Sequence, residues 1–197
     1  MPGIFRVVLD ANVLFPFSLR DPLLRAADAG YFQLYWSEGI LAEAERNLVS
    51  RGHVTAEKAE RLFSTMKEAF PEAMVVEHEP LIDRMPNEAK DRHVAAAAVK
   101  AGAQVIVTFN TKDFRTLPQG IEAQSPDAFL TNILDLDASS VLDLLRRQAQ
   151  ALKKPAKSLE QLLEGLAKTV PDFVTEVRSQ QADDGPLARP PPRTRDT

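Results

Sequence analysis

The sequence predicts an α/β fold in which a parallel sheet is covered by helices on both faces, with a helical extension after it. Short apolar runs rich in branched residues alternate with helical patterns over the first 136 residues. Two acids, Asp10 and Asp113, stand where such apolar runs stop. Strands that alternate with helices favour a three-layer α/β/α sandwich, in which ligands bind beyond the carboxyl ends of the strands.

Start and stop signals divide this first part into elements. An apolar run that ends at Asp10 is the first strand, and an Asp-Pro pair followed by a glycine bounds a helix over residues 21–30. Ser37 can cap the next helix and Thr55 a third one, which runs to residue 70. An alanine-rich helix follows Asn87 and stops near Gly102. The predicted strands cover residues 4–10, 32–37, 73–77 and 103–109, with a short fifth strand within residues 120–125.

The sequence after residue 136 has a different character. Apolar residues at helical spacing predict a helix over residues 139–154, and Ser158 with Gln161 forms a capping box for a second. A further short helix is predicted over residues 172–180. We therefore divide the chain into an α/β domain (1–136), a helical extension (137–182) and a Pro/Arg-rich tail (183–197) that we expect to be disordered.

Composition excludes several kinds of site. The chain has no cysteine, and its three histidines are too far apart in sequence to form an H-x-x-x-H metal pair. No apolar run approaches the roughly 20 residues that cross a bilayer, so we expect a soluble cytoplasmic protein with no membrane partner. The net charge of -4 is only a weak guide to partners.

Four acids are candidates for a common site. Asp10 and Asp113 lie at strand ends, and Asp91 belongs to the helix stripe that faces the sheet. Glu43 and Glu45 both lie on the shoulders of an apolar stripe, so the pattern alone does not choose between them. Each acid also has a plain structural interpretation, as a turn former, a helix-start acid or a solvated side chain. The functional hypothesis depends on their convergence.

Clustered carboxylates need a cation. Two of them about 4 Å apart repel by on the order of 4 kcal/mol at an effective dielectric near 20. Ligands that are all oxygen select hard ions, so Mg²⁺ or Mn²⁺ is expected. Such a site suits phosphodiester hydrolysis, since a bound metal generates a nucleophilic water and neutralises charge on the phosphate.

The chain resembles a PIN domain over about residues 4–136. The resemblance is carried by VVLDANVL, SEGILAEAERNL and KDRHVAAAAVKAGAQVIVTFNTKDF, which occur in this order. Such domains are metal-dependent ribonucleases, and most bacterial ones are VapC-type toxins of toxin–antitoxin pairs. The helical extension resembles that of a longer VapC-like subgroup, where it would add a substrate platform or a partner surface.

The resemblance implies specific site residues. It implies that Asp10, Glu43, Asp91 and Asp113 form the catalytic quartet, that Asp10, Asp91 and Asp113 hold the metal, and that Asn12, Thr108 and Asn110 support them. It also favours Glu43 over Glu45. Asn110 stands where many family members have another acid. A homodimer and a cognate antitoxin that inserts into the acidic groove are implied as partners.

Basic residues flank the acids, as an RNA backbone would require. Our candidates for RNA contacts are Arg20, Arg92, Lys112 and Arg115. We expect His93 to be a structural helix residue and Trp36 to lie in the core.

The main hypothesis is a toxin endoribonuclease. One alternative is a catalytically weak PIN-like module that binds RNA or protein, which Asn110 makes conceivable. Another is an aspartyl-nucleophile phosphatase, but that chemistry expects a second Asp where this chain has Asn12.

Overall fold

The computed structural model describes residues 5–52, 54–153 and 156–183. Within them, five strands form one parallel sheet: β1 (Arg6–Leu9), β2 (Gln33–Ser37), β3 (Met74–Val75), β4 (Val105–Val107) and β5 (Glu122–Gln124). Their order is β3-β2-β1-β4-β5, and every neighbouring pair is parallel. The predicted α/β class with a central parallel sheet is confirmed.

Ten helices surround and extend this sheet in the described ranges. They are α1 (Ala11–Leu14), α2 (Phe17–Asp28), α3 (Glu38–Ser50), α4 (Ala56–Ala69), α5 (Glu79–Ile82), α6 (Arg92–Ala101), α7 (Pro126–Leu136), α8 (Ala138–Ala151), α9 (Leu159–Leu166) and α10 (Pro171–Asp183). Three short 3-10 helices span Pro71–Ala73, Ala89–Asp91 and Thr111–Phe114.

The sheet places two strand ends side by side. β1 pairs with β4 so that Leu9 lies opposite Val107, and both side chains are fully buried. The residues that follow, Asp10 and Thr108, therefore leave the sheet at the same edge. The strand order also reverses between β1 and β4, and this reversal is where open α/β sheets form ligand sites.

Most of the predicted helix signals act as expected. The hydroxyls of Ser37 and Thr55 accept hydrogen bonds from the third residue beyond them, which caps α3 and α4. Gly102 ends α6 with φ of 62°, a left-handed conformation that favours glycine. Ser158 and Gln161 form the predicted capping box at the start of α9.

The predicted start of the first long helix was wrong. The Asp-Pro pair predicts a start at residue 21, but α2 begins at Phe17 and has Pro22 inside it. Pro22 removes one helical hydrogen bond, which disfavours it at this position. Leu19 in the extra turn is fully buried, and its packing offsets that cost.

The sequence prediction also missed three helices. α7 has a Ser125 cap that accepts from Ala128 N and a proline at its first position, which are ordinary start signals. Two others, α1 and α5, have only four residues each. Such short helices are below the length at which apolar periodicity can be recognised.

The C-terminal helices pack onto the rest of the protein through one continuous core. Buried residues of α8, α9 and α10 belong to the same apolar cluster as those of the sheet. Asp127 in α7 accepts hydrogen bonds from the backbone N–H groups of Asp172 and Phe173, at 3.1 and 2.8 Å, at the start of α10. Both apolar packing and hydrogen bonds from the start of α10 to Asp127 therefore attach the extension to the rest of the protein.

Two predictions fall at the limits of the described residues. Asp183 is the last residue of α10, and the rest of the predicted tail lies outside them. The first predicted strand includes Ile4, which also lies outside them. No helix in the described part of the chain is long and apolar enough to cross a membrane.

Candidate active site

Asp10 is a buried carboxylate at the carboxyl end of β1. Its side chain is 4% exposed and caps α1, with Oδ1 accepting from Ala11 N at 2.7 Å. Burial raises the pKa of Asp10 from 3.8 to about 6, while the hydrogen bonds from Thr108 and Ala11 oppose the rise. Glu43 and Asp91 raise it further by repulsion. The turn-forming interpretation is therefore correct but incomplete, because two other acids act on the same buried group.

Two neutral side chains hold Asp10 in place. Oδ2 of Asp10 accepts from Asn12 Nδ2 and from Thr108 Oγ1, each at 2.7 Å. Asn12 also donates to Thr108 Oγ1 at 2.9 Å, and the same oxygen accepts from Asn110 N at 3.0 Å. The predicted supporting residues Asn12, Thr108 and Asn110 thus form one network that fixes the direction of the Asp10 carboxylate.

Asp91 lies at the start of α6 but does not act as its cap. Its side chain makes no capping hydrogen bond, and its buried Oδ2 has no hydrogen-bond partner in the described structure. Burial raises the pKa of Asp91, with Asp113 and Glu43 adding to the rise and Lys90 opposing it. A buried oxygen without a donor is costly. Asp91 Oδ2 therefore remains available to a hydrogen-bond donor or a cation.

Lys90 joins Asp113 to Asp91. Its ammonium lies 2.8 Å from Asp113 Oδ2 and 3.8 Å from Asp91 Oδ2, which is beyond hydrogen-bond distance for the second pair. The hydrogen bond to Asp113 raises the pKa of Lys90, and the charges of Asp91 and Asp113 add to the rise. The Lys90 side chain thus places a positive charge between two of the predicted acids.

The structure distinguishes Glu43 from Glu45. Glu43 points toward the acids, and its Oε2 lies 3.6 Å from His93 Nε2. Glu45 lines a different, shallow depression on the other side of α3. The other ring nitrogen of His93 lies 3.1 Å from the carbonyl oxygen of Lys90. His93 therefore contacts both the Lys90 backbone and Glu43, and its role as a structural helix residue stays a prediction.

One groove connects these groups to the surface. It has a volume of about 1030 Å³ and includes Asp10, Glu43 and Asp91 in its lining, together with Asn12 and Asn110. Asp113 is not in that lining and is linked to the groove acids by Lys90. Further lining comes from α2, α3, α4 and the extension: Phe17, Ser18, Arg20, Asn47, Leu48, Leu62 and Thr169.

The predicted RNA-contacting residues differ in their surroundings. Arg20 lies at the groove but is 5% exposed, and its Nη1 donates to the carbonyl oxygen of Leu14 at 2.8 Å. This bond gives Arg20 a structural role at the turn between α1 and α2. Arg92 donates from Nε to the Asn87 carbonyl at 3.2 Å. Lys112 and Arg115 are exposed. Contact of any of the four with phosphate stays a prediction.

The donor chemistry of the site suits a hard divalent cation, but its present spacing does not form a complete site. Carboxylate oxygens are the ligands that Mg²⁺ and Mn²⁺ prefer, and Asp91 Oδ2 lacks a partner. In the described ranges, however, no three His, Cys, Asp or Glu side chains are close enough to hold one metal ion. Lys90 lies between two of the acids instead.

Sequence reasoning missed several groove residues. Phe17, Phe109, Arg51 and Asn47 line the groove, yet none was predicted as a site residue, although Phe109 and Asn47 lie within the segments that carry the PIN resemblance. Lys90 is not among the predicted site residues, although its position directly before Asp91 is a usable signal. The aromatic residues have no local signal, because their exposure depends on how α2 and the segment after β4 are packed.

Two family models match different parts of the chain. One described as "PIN domain" matches residues 6–112, and one described as "VapC50 C-terminal domain" matches residues 126–179. A curated relative from Mycobacterium tuberculosis, named "Putative ribonuclease VapC50", is 40% identical over 101 residues. That match covers 50% of this chain and 60% of the relative, less than two thirds of its length. No solved structure matches the chain.

Proposed function

The chain belongs to the PIN domain family, and from this premise we propose that it is a metal-dependent endoribonuclease that acts as the toxin of a type II toxin–antitoxin pair. The observation that carries the proposal is the convergence of Asp10, Glu43 and Asp91 on one groove at the point where the strand order reverses. The matched relative is named a ribonuclease, which supports the same chemistry.

In this proposal each acid has a separate task. Asp10, Asp91 and Asp113 would hold Mg²⁺ or Mn²⁺, and the bound ion would neutralise charge at the phosphate and lower the pKa of a water molecule. Thr108 and Asn12 keep the Asp10 carboxylate aimed into the groove. Glu43 has a side chain that is 41% exposed, so we assign to it the contact with water.

The helical extension belongs to this functional unit in the proposal. Thr169, from the segment between α9 and α10, lines the same groove as the acids. We therefore propose that residues 137–182 form part of the substrate platform and that the nuclease domain ends at residue 136. A homodimer, a cognate antitoxin and a cytoplasmic location complete the proposal, by analogy with the family.

One pair of variants tests the chemistry. Glu43→Gln and Glu45→Gln make the same change on the same helix, but only Glu43 faces the acids. We expect purified Glu43→Gln protein to cut RNA at least about 100-fold more slowly than wild type, the usual scale for loss of a proton-transfer group. Glu45→Gln should cut at the wild-type rate. Equal rates for both variants would contradict the assignment.

A second experiment tests the toxin role. Induced expression of the wild-type chain in a bacterial host should arrest growth, and Asp10→Asn protein at the same level should not. Growth arrest by both proteins would contradict the proposed chemistry.

The specific alternative is a PIN-like module that binds RNA or protein without cutting. It is favoured by the lack of a three-carboxylate group in the described ranges and by Asn110, whose amide lines the groove. A folded wild-type protein that binds RNA but leaves it intact with every metal would support this alternative.

A further inference from the structure

Two exposed phenylalanines line the groove that contains the acids. Phe17 is 57% exposed and Phe109 is 41% exposed, and both belong to the groove lining. Large apolar side chains with this exposure are few in the described structure; the others are Phe5, Val76 and Leu136. Aromatic side chains that line one groove together with a few polar groups are typical of ligand-binding sites.

Both rings are positioned by the elements that position the acids. The backbone N–H of Phe109 donates to Asn12 Oδ1 at 3.1 Å, and Asn12 in turn donates to Asp10. Phe17 is the first residue of α2, and the Arg20 guanidinium lies 5.7 Å from its ring centroid. Phe17 and Phe109 therefore follow β1 and β4, the two strands whose ends also place Asp10 and Thr108.

We infer that Phe17 and Phe109 are substrate-positioning residues, whose rings stack on the bases next to the cleaved phosphate. This inference rests on the proposed function, which places the phosphate at the acids. The neighbouring nucleotides must then contact the walls of the same groove. Bases in a duplex are already stacked and cannot meet these rings, whereas bases of single strands or loops can.

The groove lining also carries a cation beside its aromatic rings, as a site for an RNA strand would. Arg51 is exposed, lines the groove and has its guanidinium carbon 4.5 Å from the Phe15 ring centroid. Cations interleaved with aromatic rings are typical of surfaces that bind single-stranded nucleic acid. The groove volume of about 1030 Å³ is at the upper end for small-ligand sites and so accommodates more than a phosphate group.

Binding in EDTA separates this inference from catalysis. The probe is a fluorescently labelled, unstructured RNA of about ten nucleotides, measured by anisotropy alone and after annealing to its complement. Phe17→Ala and Phe109→Ala should each weaken binding of the single strand by roughly 5- to 100-fold, the range for loss of one stacked base. Binding of the duplex should be weaker in the wild type and unchanged in the variants.

Phe5→Ala is the matched control. Phe5 is 40% exposed, almost the same as Phe109, and lines a different depression with Phe129 and Leu136. Its replacement should leave RNA binding unchanged. Thermal unfolding of all three variants checks that each is folded.

A tryptophan variant detects stacking directly. The only tryptophan of the chain, Trp36, is fully buried, so Phe17→Trp adds the one exposed indole of the sequence. Single-stranded RNA should quench the fluorescence of the new indole, and affinity should be kept or increased. Duplex RNA should not quench it.

The outcomes distinguish this inference from the proposed function. Weaker binding by both alanine variants, together with quenching of the introduced indole in Phe17→Trp, supports stacking even if the wild type cuts no RNA. Unchanged affinity in both variants, or no binding by the wild type, overturns the inference and favours a protein segment as the occupant. If the wild type cuts RNA and both alanine variants bind RNA normally, the nuclease proposal holds and the stacking inference is wrong.

Discussion

The buried Asp10 carboxylate should give the metal-free protein a specific pH dependence of stability. Its pKa in the folded protein is about 6, against 3.8 for an exposed aspartate. As the pH rises, the unfolded chain therefore loses this proton first, and the folded protein binds more protons over the interval between the two values. Stability consequently falls as the pH rises through that interval.

The size of the effect follows from the difference in pKa. Each pH unit corresponds to about 1.4 kcal/mol, so ionisation of Asp10 costs the folded state about 3 kcal/mol above pH about 6. Asp10→Asn cannot ionise and carries no such penalty, although it alters the hydrogen bonds to Asn12 and Thr108 at every pH. The free energy of unfolding of wild type minus that of Asp10→Asn should thus fall by about 2.5 kcal/mol from pH about 4 to pH about 7.5, because Asp10 of the unfolded chain is already partly ionised at the lower pH.

Urea unfolding followed by circular dichroism in EDTA measures this difference. The constant offset from altered hydrogen bonds drops out, because only the change with pH is tested. Adding Mn²⁺ at pH about 7.5 should stabilise the wild type more than Asp10→Asn, since binding to the folded state raises stability by mass action. If the difference in free energy of unfolding between wild type and Asp10→Asn does not change with pH, or rises, then burial does not raise the pKa of Asp10.

Other predictions concern the residues around Asp10 and the extension. Lys90→Gln removes the cation between Asp91 and Asp113 and should tighten Mn²⁺ binding several-fold in calorimetry. Lys112→Gln makes the same charge change at an exposed site and should have little effect. Equal effects of the two variants would argue against competition between Lys90 and the metal ion for these acids. Thr108→Val should lower the free energy of unfolding at pH about 7.5 by about 1–3 kcal/mol, because Asp10 loses a donor. Phe173→Ala should lower the free energy of unfolding by about 3–5 kcal/mol, and unfolding should keep a single transition, since Phe173 lies in the core shared by the sheet and the extension. Two separate transitions would contradict the presence of one continuous core.

The fold could be predicted from the sequence because its determinants are mostly local. Caps such as Ser37 and Thr55, the stop at Gly102 and the apolar strand runs act within a few residues of themselves. The start of α2 could not be predicted in this way, because burial of Leu19 outweighs the local preference of Pro22. In that case a tertiary contact decides the boundary.

The candidate site was predictable to the extent that strand ends determine it. Asp10 follows β1 and Thr108 follows β4, and the pairing of these two strands brings the residues together. The position of Lys90 between Asp91 and Asp113 depends on side-chain directions across two short 3-10 helices, which no periodicity encodes. The metal ligands and the catalytic role of the quartet stay predictions.

The measurement that tests the central claim most directly is cleavage of total RNA by purified protein with Mg²⁺, with Mn²⁺ and with EDTA, beside the Asp91→Asn protein. We predict discrete fragments with either metal, none in EDTA, and none from the variant under any condition. Intact RNA with every metal, from a wild-type protein shown to be folded and free of antitoxin, would contradict the claim that this groove hydrolyses RNA.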